Sequence, residues 1–536
     1  MIKPSIIHML VPLCIMSATT LAAQTHHGAL PERSGEPMPL YTAALGPFSR
    51  SVTTTSSDAQ AYFDQGIQLM YAFATQDAAR AFQEAQQRDP DCAMCYWGEA
   101  WAWGAYLNAP MDSDNAPLAF DAIRTAQRVL ADHATEVERA LIEAMAIRYV
   151  RQHDPGTRDQ LDTAYANAMR TVYERHPDDL DVATLYGEAL FLLEPRRGTR
   201  DIESPAVQRI ARVLEGVLIR DIEHPGACHL YIHLTEATVR PEKAQPCAEF
   251  LGDAIPGASH INHMPSHTWN RIGRWGDAVR ANIQAWHSDL KAEIGEGFPI
   301  YPSHNLHMLL FAASMDGQGA VAIQAAKDYG KLVRGGQFYR ALALVRFGRF
   351  DEVLELDDVP DQPIFKALWE FGKGYAHLRA GNADSARNYF ARVEDAAESI
   401  PDSVTFRGHP AASLLGVVGG ILRGEILLQE DRIEEAVAAL ERAVELEDDL
   451  RYDEPEPLNF SARHWLGAVL LEDNRNEEAE RVYRMALLDH PNNGWSLFGL
   501  EEALRAQGRD AEADAVSRQL EDAWARSDTW IRGSRF

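Results

Sequence analysis

The sequence predicts an all-α chain, a superhelical solenoid of antiparallel helix pairs, and three observations carry that reading. Small residues, aromatics and prolines recur at offsets of 34 positions in both halves of the chain. The apolar residues between them follow helical rather than alternating spacing. Composition agrees, since 46% hydrophobic and 24% charged residues over 536 positions supply ample core and exclude disorder for most of the length.

The first element reads as a targeting signal. Lys3 is followed by an apolar run from Ile6 to Ala23 that closes on Thr19-Thr20-Leu21-Ala22-Ala23, so residues 1–23 form a secretory signal peptide. Cys14 follows Leu13 rather than a small residue, which argues against lipoprotein cleavage. No later run approaches ~18 uninterrupted apolar residues, so no membrane span is expected and a periplasmic or secreted location follows. Residues 24–57 are rich in Gly, Pro, Ser and Thr and read as an extended leader.

Two helical arrays come next, residues 58–346 and 347–536. In the first, Gly66, Ala78, Phe82, Ala85 and Pro90 fall at positions 8, 20, 24, 27 and 32 of a 34-residue unit. Small residues let two helices cross closely, the aromatic fills the space between them, and the proline stops the second helix. This pattern resembles the tetratricopeptide repeat. It returns at Gly374, Ala386 and Phe390, at Gly424, Ala436 and Ala443, and at Gly467, Ala479, Tyr483, Ala486 and Pro491.

Longer phrases extend the resemblance. Tyr62-Phe63-Asp64-Gln65-Gly66, Asp89-Pro90-Asp91-Cys92, His229-Leu230-Tyr231-Ile232-His233, His263-Met264-Pro265-Ser266-His267, His304-Asn305-Leu306-His307, Tyr452-Asp453-Glu454-Pro455 and Asn493-Gly494-Trp495 are similar to those of a large bacterial family of secreted tetratricopeptide-repeat proteins. The resemblance implies fold and export; it implies no mechanism. Thr75-Gln76 stands where many relatives are expected to carry Asn-His.

Chemistry is read instead from the histidines. Nine of the 19 lie between His224 and His307, where proportional sharing would place roughly three. His229/His233 and His263/His267 are i,i+4 pairs, able to chelate one ion from one helix face. They are also 34 residues apart, and so equivalent in adjacent repeats, at positions 5 and 9 of the first helix. A third unit follows after a ten-residue insertion, and its offset of 44 carries His260 onto His304 and His263 onto His307. Seven histidines, His229, His233, His260, His263, His267, His304 and His307, are therefore expected on one concave strip, with Glu236 adding a carboxylate or orienting a ligand.

A nitrogen-rich set of this kind suits a transition metal such as Cu, Zn or Fe. Seven imidazoles exceed the needs of one site, which leaves two ions, or one ion with acid/base histidines. A hydrogen-bonded groove that receives a peptide or protein is the other reading. Trp97 and Trp101 are candidate groove aromatics in the frame continued from the first repeat. Cys228 and Cys247 sit at positions 4 and 23 of one repeat, where antiparallel helices approach, and are expected to form a disulfide.

Several classes are excluded. Cys92-Ala93-Met94-Cys95 lacks the histidine of a haem-attachment site, so no haem is expected. No glycine-rich phosphate loop is present, so no nucleotide is expected. A net charge of −28 makes nucleic acid a poor partner. A small-molecule substrate or a protein or peptide ligand in the concave groove remains.

Overall fold

The computed structural model describes residues 37–132, 134–195 and 198–536. The signal segment 1–23 and the leader up to residue 36 lie outside the described residues.

Helices Ser57–Tyr71 and Thr75–Arg88 form the first antiparallel pair, and the same helix-turn-helix unit repeats to Gly494–Ala506 and Asp510–Trp524 at the far end. The chain is thus an all-α tetratricopeptide-type solenoid. Its one described sheet is a short hairpin, Thr405–Phe406 with His409–Pro410.

Close crossing explains the recurring glycines. A Cβ on Gly66 would stand 2.5 Å from the Phe82 ring, and one on Gly98 would stand 2.4 Å from it, so Phe82 wedges between the first helices of successive pairs. Gly467 and Gly499 flank Tyr483 in the same way. Gly98 therefore takes the crossing position only 32 residues after Gly66, and the frame slips by two. That slip corrects the expectation for Trp97 and Trp101. Both are buried, Trp97 in the core and Trp101 with its indole N–H on Glu188, and neither lines an open groove.

The turn inside each pair is also repeated. Its left-handed residue stands five positions before the residue at repeat position 20, as in Gly273, Gly317, Gly348, Gly381, Asp431, Asn474 and Gly508, and that residue is alanine in each except Val353. The next N–H reaches back five residues, for example Arg274 to the Trp269 carbonyl and Arg475 to the Leu470 carbonyl, both 2.8 Å. Gly, Asn and Asp are the residues that tolerate this backbone. In the first pair the position is held by Phe73, with φ +59°.

Both ends of the described chain lie back on the solenoid. Leader residues run along the first helix: Gln65 accepts from the Tyr41 N–H, Gln68 from that of Gly46, and Asp64 from that of Arg50. Arg50 continues to Asp179 and Asp181, at 2.8 Å each, and ties the first pair to helix Leu180–Phe191. At the other end, Asp528 caps the N-terminus of helix Gly319–Leu332 through the N–H groups of Gly319 and Ala320. The tail then gives its Ser534 carbonyl to buried Arg346 and its Phe536 oxygen to Tyr375. His464 is fully buried beneath this tail, with the Ser534 hydroxyl donating to its carbonyl.

Helix Ala411–Gln429 is long and apolar enough to cross a membrane by length and composition. Leu414, Leu415, Val417, Val418, Ile421 and Leu422 on it are buried inside the solenoid.

Candidate metal centre

Three successive first helices carry the histidines, Pro225–Thr235, the segment Ser259–His263 and Pro265–Arg271, and Pro302–Met315, and the outer two begin on a proline. Proline at the first helical position costs no hydrogen bond, because that N–H has no intrahelical acceptor. Pro265 breaks the middle helix between His263 and His267, yet Met264 keeps helical angles and the two imidazoles stay on one face.

Six of the seven histidines meet in two triads. His229, His233 and His260 form one; His263, His267 and His304 form the other; within each, one ligand atom per residue lies within 4.8 Å of the rest. The triads are copies of each other. An offset of 34 carries the pair 229/233 onto 263/267, and 44 carries His260 onto His304. The i,i+4 pair of one helix is completed by one histidine from the next. The triads adjoin, with ring centroids 5.6 Å apart for His260 and His263 and 5.7 Å for His233 and His267.

The seventh histidine goes elsewhere. The Tyr339 hydroxyl donates to the Pro457 carbonyl and stands 2.7 Å from His307 Nε2, which is left to donate to it. His307 thus belongs to a tyrosine contact rather than to either triad, a correction to the sequence reading. The expected open strip is also corrected. Five of the six triad histidines are buried and His304 is half-buried, because the solenoid closes over them with residues far apart in sequence.

The Nδ1 atoms explain what the rings present to one another. His229 Nδ1 donates to the Tyr71 carbonyl at 2.6 Å. His263 Nδ1 stands 2.8 Å from Asn282 Oδ1, and the Asn282 amide nitrogen is already spent on the Ala278 carbonyl, so the oxygen accepts. Glu236 takes one histidine from each triad, His233 Nδ1 at 2.7 Å and His267 Nδ1 on its other oxygen. The contacts of His229, His263 and His233 fix the proton on Nδ1 and leave the Nε2 lone pair as the ligand, while His267 meets Glu236 as an ion pair and must lose its Nε2 proton to bind a metal. Glu236 is thus an orienting carboxylate that couples the triads, and Glu454, 3.3 Å from His267 Nδ1, reinforces it from the C-terminal array.

Nε2 of His263 and Nε2 of His267 are only 2.7 Å apart, and those of His229 and His260 are 3.2 Å apart. Each contact is closed by one N–H, donated from His267 and from His260, and a metal ion that replaces that proton would take both lone pairs. Buried His233 Nε2, His260 Nδ1 and His304 Nδ1 have no protein partner, each a costly state of ~1–3 kcal/mol without one. Burial, added to by neighbouring imidazoles, pushes His229, His260, His263 and His304 well below the ordinary histidine range, so they are neutral ligands at pH 7. His267 is the exception. Burial opposes its charge, but Glu236 and Glu454 outweigh it and raise the imidazole to about 10. The pocket is therefore built to hold positive charge, and the donor set fits a transition metal.

Aromatic rings close the first triad. Phe73 lies 4.3, 5.6 and 6.0 Å from the rings of His229, His260 and His233. Tyr301 meets His260 edge-on at 5.2 Å, and its hydroxyl is 2.6 Å from that of Tyr106. The second triad borders polar groups instead. Arg407, paired with Asp453 at 2.6 Å, is near enough for its charge to disfavour protonation of His304, and the loop Tyr452–Glu456 walls a small pocket of about 40 Å³ that touches His267, Arg271 and His490. Sequence reasoning missed Phe73, Tyr301 and Asn282, and met Glu454 only inside a family phrase. Phe73 alone left a signal, a bulky residue at a turn position where other repeats carry Gly, Asn or Asp.

Cys228 and Cys247 are joined, as are Cys92 and Cys95. The first bond ties the His229 helix to helix Gln245–Leu251, one residue from a ligand.

No known family model and no curated protein matches the chain. Among solved structures it is similar to Naa15/Naa10 bound to HypK-THB, at 14% identity over 87% of this chain and 71% of that one, with TM-score 0.24. The human IFIT1 dimer with m7Gppp-AAAA is similar at 11% identity over 88% and 91%, TM-score 0.30. The TPR domain of P58(IPK) is similar at 12% identity over 84% and 99%, TM-score 0.21. The fold class rests on the chain's own helix pairing.

Proposed function

We propose that this is an exported metalloenzyme whose interior holds two transition-metal ions side by side, one on His229, His233 and His260 and the other on His263, His267 and His304. The observation that carries the reading is the convergence of three histidine ligand atoms within 4.8 Å of one another in each of two repeat-related triads. Three protein ligands per ion leave a coordination position for a reactant, the arrangement of catalytic rather than structural sites. Both triads are all-imidazole, with Glu236 and Glu454 grouped with His233 beside them, and a nitrogen-rich set suits copper or zinc. A bound ion would supply Lewis-acid or redox chemistry; Glu236 and Asn282 would hold the ligands in register, and the pocket beside His267 would receive a small-molecule substrate.

Export is supported by the apolar N-terminal signal and by two disulfides, which persist in oxidising compartments. The alternative, a scaffold that captures an extended peptide, has weaker support, because the chain's own tail lies along the first helices of the C-terminal array.

Titrating chelator-stripped protein with Zn(II) or Cu(II) tests the reading triad by triad. The parent chain should take up two ions, His260→Ala and His304→Ala one tight ion each, and the double variant none. Equal uptake by all four would overturn it.

A further inference from the structure

Six non-glycine residues among those described have left-handed backbone: Phe73, Tyr301, Arg407, Asp431, Asn474 and Asn492. Three are Asp or Asn, which reach that region readily. The other three all face the histidine cluster: Phe73 and Tyr301 against His260, and Arg407 toward His304. A bulky residue in this conformation is a genuine outlier, and such outliers concentrate at ligand clamps and active sites.

Phe73 is the most telling because the solenoid supplies its own controls. Seven other turns share its backbone and its place in the repeat, with φ between +59° and +79°, and every one carries Gly, Asp or Asn. Glycine at residue 73 would complete the same turn without strain. The phenylalanine instead sets its ring within 6.0 Å of all three imidazoles of one triad. Among the described residues, the rings that meet His263, His267 and His304 are those of other histidines. His267 borders a small pocket of about 40 Å³, whose lining includes no residue of the first triad, and His304 is half-buried.

We propose that Phe73, backed by Tyr301, is a specificity-determining gate that makes the two ions inequivalent. The ion of the first triad admits only ligands of two or three atoms, such as dioxygen, hydroxide or azide. The ion of the second triad, beside the pocket and next to half-buried His304, takes larger ligands, up to a five-membered ring. This rests on the two-ion reading above.

The test uses the full mature chain loaded with Cu(II) or Co(II) and titrated with imidazole, a ring too large to pass Phe73, while the absorption of the bound ions is followed. In the parent protein imidazole should perturb one ion per chain and azide both. Phe73→Gly, and independently Phe73→Asn, should open the ion of the first triad to imidazole with at least a tenfold gain in affinity there. Imidazole binding to both ions of the parent overturns the gate without requiring any variant to fold. So does a folded Phe73→Gly or Phe73→Asn that still binds imidazole at one ion. Metal content measured on the same samples separates the two readings. Fewer than two ions per chain overturns the centre and the gate together, whereas two ions equally open overturns the gate alone.

Discussion

His263 and His267 face each other through Nε2 atoms 2.7 Å apart, on rings whose Nδ1 atoms are held by Asn282 and Glu236. Neither ring can turn to relieve the contact without giving up a buried hydrogen bond. In the metal-free protein the contact is closed by one proton on His267, whose imidazole Glu236 and Glu454 raise to about 10 against the opposing effect of burial. A metal replaces that proton and satisfies both lone pairs, so binding releases protons and weakens in acid.

Glu236 is expected to matter to both ions at once. Glu236→Ala frees His233 and His267 together, one from each triad, and should lower the affinity of both sites by ~10–100-fold, the usual cost of losing an orienting partner. Asn282→Ala touches only His263 and should weaken only the second triad. Competition against a chelator of known affinity reads the two sites; an Asn282→Ala effect spread equally over both would contradict the assignment.

Removing His267 should damage the metal-free fold as well. Had position 9 faced an open groove, as the repeat frame implied, substitution would cost within ~0.5 kcal/mol. His267 is instead buried against the Glu236 carboxylate, and His267→Ala strands that charge, at a cost of about 3–5 kcal/mol. Adding Glu236→Gln to His267→Ala should restore part of the loss. Urea unfolding of the chelator-stripped proteins measures both steps, and a fully stable His267→Ala would return the histidine to the surface.

Glu447 sets an expected pH dependence away from the metal. Burial raises its carboxyl to about 7 from an ordinary 4.5; the Ser461 hydroxyl at 2.7 Å opposes the rise and nearby Glu456 adds to it. A carboxyl with a raised folded value keeps its proton in the native state after the unfolded chain has lost it. Stability from this group is therefore greatest below about 4.5, falls as pH rises to about 7, and is level above. Glu447→Gln should flatten that part of the stability profile and make the protein relatively more stable at pH 8. An unchanged slope between those values would show that another group carries it.

Much of this was legible in the chain. The 34-residue frame gave the helix pairs and the equivalence of the pairs 229/233 and 263/267, because repeat spacing records which residues share a helix face. The offset of 44 related His260 to His304, but their assignment to separate triads needed the superhelix, which sets each beside the preceding pair. Burial was not legible. The rings and carboxylates that close the centre come from Phe73, Tyr301 and Glu454, and no periodicity links positions so far apart. Trp97 and Trp101 were misplaced because the repeat shortens to 32 between Gly66 and Gly98; a frame shifted by two, with Gly98 at position 8, was open from sequence, and the position of both glycines against Phe82 selects it.

The most direct measurement is the metal content of the mature protein, exported by its own signal and purified without chelator, by elemental analysis against protein concentration. Two equivalents of copper or zinc per chain, falling to about one on His260→Ala or His304→Ala, are expected. A folded parent chain that carries no transition metal, and that takes up none from Cu(II), Zn(II) or Fe(II) at neutral pH, would contradict the account.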